Sequence, residues 1–326
     1  MNRQRGFAHP SILILLIVLV GVGVIGYKVA QSHKPATKNT SAESAQTATK
    51  SWAEGSYAVE GTYADASIVQ TAGDEWRLYY AVQPEVQGNN LEVYSATSND
   101  GKTWVQEPGT RKTMATFPEV VKNNDGSYRM YFQSAGVIKS ASSADGLTFT
   151  DDSGTRIDKS NDLSLAFDNV AAPAVLLQDD GSYLMVYRGT VNTRYAADTP
   201  NSATQVLLWA TSPDGLSWTK KGMAIDSRND TLSGQLDGPN LVKWDDGKIH
   251  LFATTYDGVY ESVFDGSAFQ AGEITFALDS PKQPNGEPAK YGIPPGDPSL
   301  AKINGTWFMY YGATGSNSGI HYATYK

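Results

Sequence analysis

The sequence of 326 residues predicts an all-β protein with the architecture of a five-bladed β-propeller. The first of two repeated patterns that support this prediction is a strand-like run, a turn and a second strand-like run. Five copies of it begin at Ala66, Pro118, Pro173, Pro239 and Pro298. The copies are too far apart for the rungs of a solenoid, whereas their spacing suits four-stranded propeller blades with one or two long loops.

The second pattern is a tight hairpin in which Asp-Gly precedes an aromatic residue. Three clear copies span residues 98–104, 143–149 and 212–218, and a weaker copy spans residues 263–269. Asp and Gly tolerate the positive φ angles of such turns, and the aromatic residue packs after the turn. Because these Asp-Gly hairpins recur at equivalent outer positions, we interpret them as structural elements and not as parts of an active site.

The N-terminal segment, residues 1–30, is predicted to be a short tail and a membrane anchor. Residues 12–25 are an unbroken run of Ile, Leu, Val and Gly. With its flanks this run reaches about the ~20 residues that a membrane-spanning helix needs. A cleaved signal peptide is the alternative, although its apolar region is usually shorter. A type IV prepilin leader is a third interpretation, but Ser11 stands where that leader has a glutamate.

The orientation of the anchor is not decided by charge, because Arg3 and Arg5 precede it and Lys28, Lys34 and Lys38 follow it. We favour a single span in the cell membrane, with the N-terminus inside and the propeller extracytoplasmic.

Residues 31–51 are predicted to form a disordered linker rich in Ser, Thr, Ala and Lys, because such a composition cannot bury enough apolar surface to fold. Residues 52–326 are predicted to form the propeller. The last blade lacks an outermost strand, and the segment from Trp52 to Thr62 has no other partner. We therefore expect this segment to complete blade five and close the ring, which removes an open sheet edge.

The composition excludes several classes of function. A net charge of -8 argues against binding to nucleic acid, which needs a basic face. The absence of cysteine excludes disulfides, a thiol nucleophile and a cysteine-based zinc site. With only four histidines, no metal site or cofactor is predicted; calcium is left open because no ligand spacing is diagnostic. We expect the propeller to be monomeric.

Acidic residues lie at the start of several inner strands, where propellers usually bind ligands. Asp65 and Asp297 directly precede the first position of their repeats, and Glu119 directly follows it. Because side chains alternate along a strand, these three are expected to point the same way. Asp237 lies two positions before the proline, so its side chain is expected to point the other way. A bend of the strand at Gly238 could still turn it towards the same channel mouth. Blade three has no acid at these positions.

Converging carboxylates suggest acid and base chemistry, because neighbouring carboxylates raise one another's pKa. Hydrolysis of a glycosidic bond needs two carboxylates, about 5–5.5 Å apart for retention or about 6.5–9.5 Å apart for inversion. Each acid also has a purely structural interpretation, since Asp before Pro often starts a turn or binds backbone amides. Arg188 ends a predicted strand, where it is placed to clamp a hydroxyl or carboxylate or to pair with a loop acid.

Several of these motifs resemble those of a known superfamily. The Asp-Pro-Ser-Leu run at Asp297, the Asp-Gly-Ser-Tyr-Arg-Met-Tyr run at Asp125 and the Asp-Gly hairpins resemble the five-bladed propeller glycoside hydrolases, the arabinanase, xylosidase and invertase superfamily of families 43, 32, 62 and 68. The hairpins are also similar to the Asp-boxes of sialidases. The resemblance covers residues 52–326 and implies a propeller fold with carboxylate chemistry.

The resemblance also implies roles for individual residues. Asp65 corresponds to the base or nucleophile, although Ala66 replaces the usual proline. Glu119 is an acid in blade two, but it follows the proline. Asp237 with Gly238 corresponds to the general-acid motif Glu-Gly-Pro, one methylene shorter, and blade three has only alanines there. We therefore predict three catalytic residues, Asp65, Glu119 and Asp237, and two substrate-binding residues, Asp297 and Arg188.

Three functions are compatible with these patterns. The first is a membrane-tethered glycoside hydrolase-like propeller that acts on oligo- or polysaccharides. The alternative is a non-catalytic carbohydrate-binding or adhesion propeller. A mannoside phosphorylase-like enzyme, which uses a single acid, is the third, but it requires a basic phosphate pocket. A carbohydrate ligand is expected in the first two cases.

Overall fold

The computed structural model of the chain contains five sheets of four antiparallel strands each, so the predicted five-bladed propeller is confirmed. The predicted anchor and nearly all of the predicted linker lie outside the described residues. Within the part of the chain that is described, no helix is long and apolar enough to cross a membrane. The described residues are 51–83, 91–197, 199–278, 295–313 and 318–326.

The first strand of each blade lies innermost, because these five strands contact one another in a ring around the central channel. From the channel outwards, the first three blades consist of β2 (Tyr63–Ala72), β3 (Glu75–Val82), β4 (Val93–Ser98) and β5 (Val105–Gln106); β6 (Thr116–Lys122), β7 (Tyr128–Ser134), β8 (Val137–Ser143) and β9 (Thr150–Asp151); and β10 (Phe167–Leu177), β11 (Tyr183–Val191), β12 (Thr204–Ser212) and β13 (Thr219–Ile225). The last two consist of β14 (Asp237–Lys243), β15 (Ile249–Thr254), β16 (Val259–Phe264) and β17 (Glu273–Phe276); and β18 (Gly296–Ile303), β19 (Thr306–Ala313), β20 (Gly319–Tyr325) and β1 (Trp52–Glu60).

The ring is closed by the N-terminal strand. β1 pairs antiparallel with β20, from Trp52 opposite Tyr325 to Glu60 opposite Gly319. The Trp52 ring also packs against the Tyr325 ring, with their centroids 5.2 Å apart. The predicted closure is therefore confirmed, and β1 covers the edge that blade five would otherwise expose.

The core consists of five hydrophobic clusters, one between each pair of neighbouring blades. Each sheet presents apolar side chains on both faces, because each face meets another sheet. Between blades one and two, for example, Tyr79 packs with Met130 and Phe132. The aromatic residues that the strands carry are thus mostly core residues.

The Asp-Gly hairpins are held by their own side chains. In the first copy, the Ser98 hydroxyl accepts hydrogen bonds from the backbone N–H of Asp100, at 3.2 Å, and of Gly101, at 3.0 Å. The Asp100 carboxylate accepts hydrogen bonds from the N–H groups of Lys102 and Thr103, both at 2.7 Å. These backbone bonds lower the pKa of Asp100 to about 2. The same pattern recurs at Asp145 and Asp214.

Each complete hairpin also joins two blades. The glycine carbonyl accepts a hydrogen bond from a tyrosine on the second strand of the preceding blade. These bonds run from Tyr310 to Gly101 at 2.7 Å, from Tyr79 to Gly146 at 2.7 Å and from Tyr131 to Gly215 at 2.9 Å. The equivalent residue for the weaker fourth hairpin is Val186, which has no hydroxyl. These contacts support the structural interpretation of the hairpins.

A bulge interrupts each inner strand just before the first position of the repeat. The residue at the bulge has a left-handed backbone conformation in every blade, with φ between 46° and 56°. Glycine adopts this region without strain and Asp and Asn tolerate it, so Phe117 and Ala172 are the unusual residues there. The five residues are Asp65, Phe117, Ala172, Gly238 and Asp297.

Two residues beyond each bulge, a second set of side chains joins neighbouring blades in what we call the inter-blade ring. In four blades the side chain accepts a hydrogen bond from a backbone N–H of the next blade, and in blade three Ala174 cannot. The bonds are Val120 N–H to Ser67 at 2.9 Å, Val175 N–H to Glu119 at 3.2 Å, Leu300 N–H to Asn240 at 3.1 Å and Ile68 N–H to Ser299 at 3.1 Å.

An Ala174→Ser variant is expected to stabilise the protein by about 0.5–1.5 kcal/mol, because its hydroxyl would supply the missing bond to the Leu241 N–H. Ser67 and Ser299 show that serine at this position reaches the next blade. Denaturant unfolding measures the change, and Ser299→Ala should lower stability by a similar amount. A less stable Ala174→Ser protein would mean that the space between blades three and four cannot hold the hydroxyl.

Candidate active site

Two carboxyl groups meet at the mouth of the central channel. Asp65 on β2 and Asp297 on β18 belong to adjacent blades, and their side chains are hydrogen bonded to each other. Asp65 also accepts a hydrogen bond from the Phe117 N–H of blade two, at 3.0 Å. Both residues lie at the bulge of their inner strand and have a left-handed backbone.

Gly238 is the residue that makes room for this pair. Its φ is 48°, and a Cβ atom added to it would lie 2.0 Å from Oδ1 of Asp297. Real side chains do not tolerate such a contact, so only glycine allows Asp297 to occupy its position. The glycine of the Asp-Gly-Pro motif therefore has a packing role in addition to its backbone conformation.

The two carboxyl groups hold their protons with different strength. Burial raises the pKa of Asp65 to about 6, although the hydrogen bonds from Phe117 and Asp297 oppose this effect. The pKa of Asp297 is raised well above its usual value, first by burial and then by the negative charges of Asp65 and Asp237. Asp65 therefore ionises first, and Asp297 keeps its proton and donates it in the hydrogen bond to Asp65.

Asp297 variants should move the pKa of Asp65 in a predictable direction. Asp297→Asn keeps a donor, so the pKa of Asp65 should stay near 6. Asp297→Gly tolerates the left-handed backbone but removes the donor, and the pKa of Asp65 should rise. Carbon-13 NMR titration of the aspartate carboxyl carbons measures both values. Equal pKa values in the two variants would show that Asp297 does not donate to Asp65.

Asp237 faces the pair from blade four. Its Oδ2 atom accepts hydrogen bonds from the Arg188 guanidinium and from the Gln205 amide, the latter at 3.3 Å, and its Oδ1 atom accepts one from the Gly238 N–H at 2.8 Å. The side chain of Asp237 is 19% exposed. Arg188 also stacks over the Phe117 ring, with its Cζ atom 4.9 Å from the ring centroid. Arg188 and Asp237 thus form a nearly buried ion pair beside the carboxyl pair.

Glu119 has a different environment, although it lines the same cavity as Asp65 and Asp297. Its Oε2 atom accepts a hydrogen bond from the Ser67 hydroxyl at 3.0 Å, and its Oε1 atom accepts the inter-blade bond from Val175. Burial raises the pKa of Glu119 to about 7. This residue therefore joins blades one, two and three through a single side chain.

The cavity between these groups has a volume of about 20 Å³, which is room for about one water molecule. Beyond Glu119 and Asn240, the channel widens into a second cavity of about 650 Å³ at the opposite face. A sugar ring cannot enter the smaller cavity, so a ligand would have to lie above Asp65 and Asp297. Among the described residues, no group of three or more His, Asp or Glu side chains is placed to hold a metal ion.

Comparison with solved structures finds the same architecture in carbohydrate-active proteins. A glycosyl hydrolase from Bacteroides ovatus matches with a TM-score of 0.58 and 15% identity, over 82% of this chain and 85% of that chain. The chain shares the five-bladed propeller fold of glycoside hydrolases. The GH43_1 enzyme from Xanthomonas citri complexed with xylose matches with a TM-score of 0.56 and 14% identity, over 82% and 90%.

An alpha-L-arabinofuranosidase from Clostridium thermocellum matches with a TM-score of 0.53 and 17% identity, over 76% of this chain and 82% of that chain. No protein-family model and no curated protein sequence matches this chain. At these identities the similarity concerns the fold.

Within this five-bladed propeller, the predicted site residues form a carboxyl pair, an ion pair and one separate residue. Asp65 and Asp297 contact each other directly, and Asp237 and Arg188 form the ion pair beside them. Glu119 lines the same cavity but bonds to neighbouring blades. The expected alternation of side chains along a strand does not account for these contacts. The bulge and its left-handed residue interrupt the strand between the repeat position of Asp65 and Asp297 and that of Glu119.

Sequence reasoning missed two residues of the site, Phe117 and Gln205. Phe117 could have been found, since it occupies the same repeat position as Asp65 and Asp297. Gln205 carries no such signal, because it begins an outer strand after a long loop.

Proposed function

We propose that this chain is a glycoside hydrolase-like enzyme that acts on glycosidic bonds of oligo- or polysaccharides. The observation that carries this proposal is the buried pair of Asp65 and Asp297 at the channel mouth. A buried carboxyl pair destabilises a fold, so its presence in a concave site favours a catalytic role. The glycoside hydrolase fold and the nearby carboxylate of Asp237 agree with this role.

In the proposed reaction, the ionised Asp65 accepts a proton from the water that attacks the anomeric carbon. Asp297 keeps its own proton and positions Asp65 through their hydrogen bond. Two carboxyl groups in direct contact are too close to act as the two opposed groups of glycoside hydrolysis. We therefore assign the general acid to Asp237, which must separate from Arg188 and take up a proton from the solvent before it can donate that proton to the leaving oxygen. Binding of a sugar between these two side chains would separate them.

Glu119 is not assigned a catalytic step in this proposal. Both of its carboxyl oxygens bond to groups of neighbouring blades, Ser67 and Val175. Its proposed role is to hold three blades together beneath the site.

We also propose that the propeller is monomeric, is tethered to the cell membrane by the predicted anchor, and lies on the extracytoplasmic side. An external position would give a hydrolase access to polysaccharides. The Xanthomonas citri structure was solved with xylose, which supports a carbohydrate ligand for a protein of the same fold.

A non-catalytic carbohydrate-binding propeller is the second candidate. The ion pair of Arg188 and Asp237 favours it, because this pair engages the carboxylate that hydrolysis would need as an acid. Ala172, at the bulge of blade three, offers no replacement acid.

Release of nitrophenol from arabinoside, xyloside and fructoside substrates tests the proposal. Hydrolysis of at least one substrate is expected. If no substrate is hydrolysed while the protein still binds sugars, the carbohydrate-binding function is the correct one.

A further inference from the structure

Glu119 stands between the two cavities of the central channel. It lines the small cavity beside Asp65 and Asp297, and it also lines the wide cavity at the opposite face. Among the lining residues that the structure describes, Asn240 is the only other one that the two cavities share. The Asn240 amide does not titrate, so Glu119 is the group at this boundary that can take up and release a proton.

The small cavity suits a single water molecule. Its volume of about 20 Å³ is enough for one water, which also needs about two to four polar partners. The carboxyl groups of Asp65, Asp297 and Glu119 supply these partners, because all three residues line the cavity. A water molecule in so small a space contacts the carboxyl pair on one side and Glu119 on the other.

The wide cavity connects Glu119 with solvent. Its volume is about 650 Å³, and its lining includes the exposed residues Gln70, Gly73 and Lys243. Asp65, in contrast, is only 7% exposed, and a ligand bound above it would cover what remains. A proton that Asp65 accepts during a reaction therefore needs a route to solvent that does not cross the bound ligand.

The carboxyl group of Glu119 is suited to pass such a proton on. Its two oxygens accept hydrogen bonds from Ser67 and Val175, but a carboxylate oxygen has a second lone pair, which remains for a proton. Burial raises the pKa of Glu119 to about 7, close to the value of about 6 for Asp65. Because the two pKa values are similar, a proton can move between these residues near neutral pH without being trapped on either one.

We infer that Glu119 is a proton relay that connects the carboxyl pair with the solvent in the wide cavity. The protonated Asp65 gives its proton to the enclosed water, and this water passes one of its own protons to the Glu119 carboxylate. Glu119 then releases a proton to water in the wide cavity and returns to its ionised form. One proton has thus moved from Asp65 to solvent, and the enclosed water is unchanged. The relay rests on the proposed function for its purpose, since hydrolysis places a proton on Asp65 in every turnover, but it can be measured without a substrate.

A Glu119→Gln variant tests the relay. Glutamine can accept the bond from Val175 and donate one to the Ser67 hydroxyl, but it cannot carry a proton. The rate at which Asp65 gains and loses its proton is measured at about pH 6 by carbon-13 relaxation dispersion of its carboxyl carbon. This rate should fall about tenfold or more, since protons would then have to wait for a local opening of the blades. The pKa of Asp65 should stay near its value of about 6.

Glu119→Ala should have the opposite effect on the rate. Alanine shortens the side chain that separates the two cavities, so water from the wide cavity reaches Asp65 and proton exchange should be at least as fast as in the wild type. The variant also loses the bonds to Ser67 and Val175 and should be less stable. A stable glutamine variant with slow exchange beside a less stable alanine variant with fast exchange is a pattern that a purely structural role of Glu119 would not produce.

Ser299→Ala is the matched control, because it removes a bond of the same inter-blade ring without removing a titratable group. Its exchange rate at Asp65 should equal that of the wild type. An unchanged rate in Glu119→Gln would overturn the relay, and so would equally slow exchange in Glu119→Gln and Glu119→Ala. If the alanine variant does not fold, Glu119→Gln is compared with Ser299→Ala, and equal rates in these two contradict the relay. Absence of nitrophenol release would contradict the proposed hydrolysis alone.

Discussion

Asp65→Asn should reduce the hydrolysis of nitrophenyl glycosides about 10²- to 10⁴-fold, because the variant cannot accept a proton from the attacking water. Asparagine is among the residues that best tolerate the left-handed backbone at this position, where φ is 56°. The variant should therefore fold normally, and its circular dichroism spectrum and melting temperature should stay close to those of the wild type. Initial rates of nitrophenol release measure the effect.

Asp179→Asn is the control for this experiment. Asp179 pairs with Lys243 at the surface, and its side chain is 84% exposed. Its replacement should leave the rate unchanged.

In the wild-type protein, the rate of nitrophenol release should rise with pH through about 6, because Asp65 must lose its proton before it can act as a base. Unchanged turnover in Asp65→Asn would remove this residue from the mechanism.

Glu119→Gln should stabilise the protein at about pH 8. Burial raises the pKa of Glu119 from 4.5 to about 7 in the folded protein, so folding favours the protonated carboxyl. The contribution of Glu119 to stability is therefore complete below about pH 4.5 and is lost as the pH rises through about 7. Glutamine stays neutral, and the gain at high pH should be up to about 3 kcal/mol. Urea unfolding at several pH values measures the difference.

The expected pattern is a stability difference between Glu119→Gln and wild type that grows from about pH 5 to about pH 8. Glu54→Gln, at an exposed position of β1, is the control and should show no such growth. A Glu119→Gln protein less stable than the wild type at about pH 8 would contradict the assignment. It would mean that the bonds to Ser67 and Val175 require the ionised carboxylate.

The fold could be predicted from the sequence because it depends on features that repeat. The Asp-Gly hairpins and the five copies of strand, turn and strand each encode one local structure. Their count therefore gives the number of blades. The partner of β1 could also be predicted, since blade five lacked a strand and only one segment was available. Local turn chemistry and the need to cover a sheet edge were sufficient for these conclusions.

The site was less predictable because its geometry depends on the bulges. No local pattern reveals that Phe117 and Ala172 adopt a left-handed backbone, because the residues that usually indicate it are glycine, Asn and Asp. Simple alternation along the strand therefore does not predict that Asp65 contacts Asp297, whereas Glu119, which lines the same cavity, bonds to neighbouring blades. The partner of Arg188 is equally hidden, because Asp237 belongs to another blade. Contacts between blades are decided by the closed ring as a whole.

The closure of the ring sets an order of events during synthesis. β1 is the first propeller strand to leave the ribosome, yet its partner β20 spans residues 319–325 and is made last. Until then, β1 has no hydrogen-bonding neighbour and Trp52 has no Tyr325 to pack against. A nascent chain thus carries an unprotected strand until β20 is made, which exposes it to pairing with other chains. The pairing of β20 with β1 converts a linear array of blades into a closed ring.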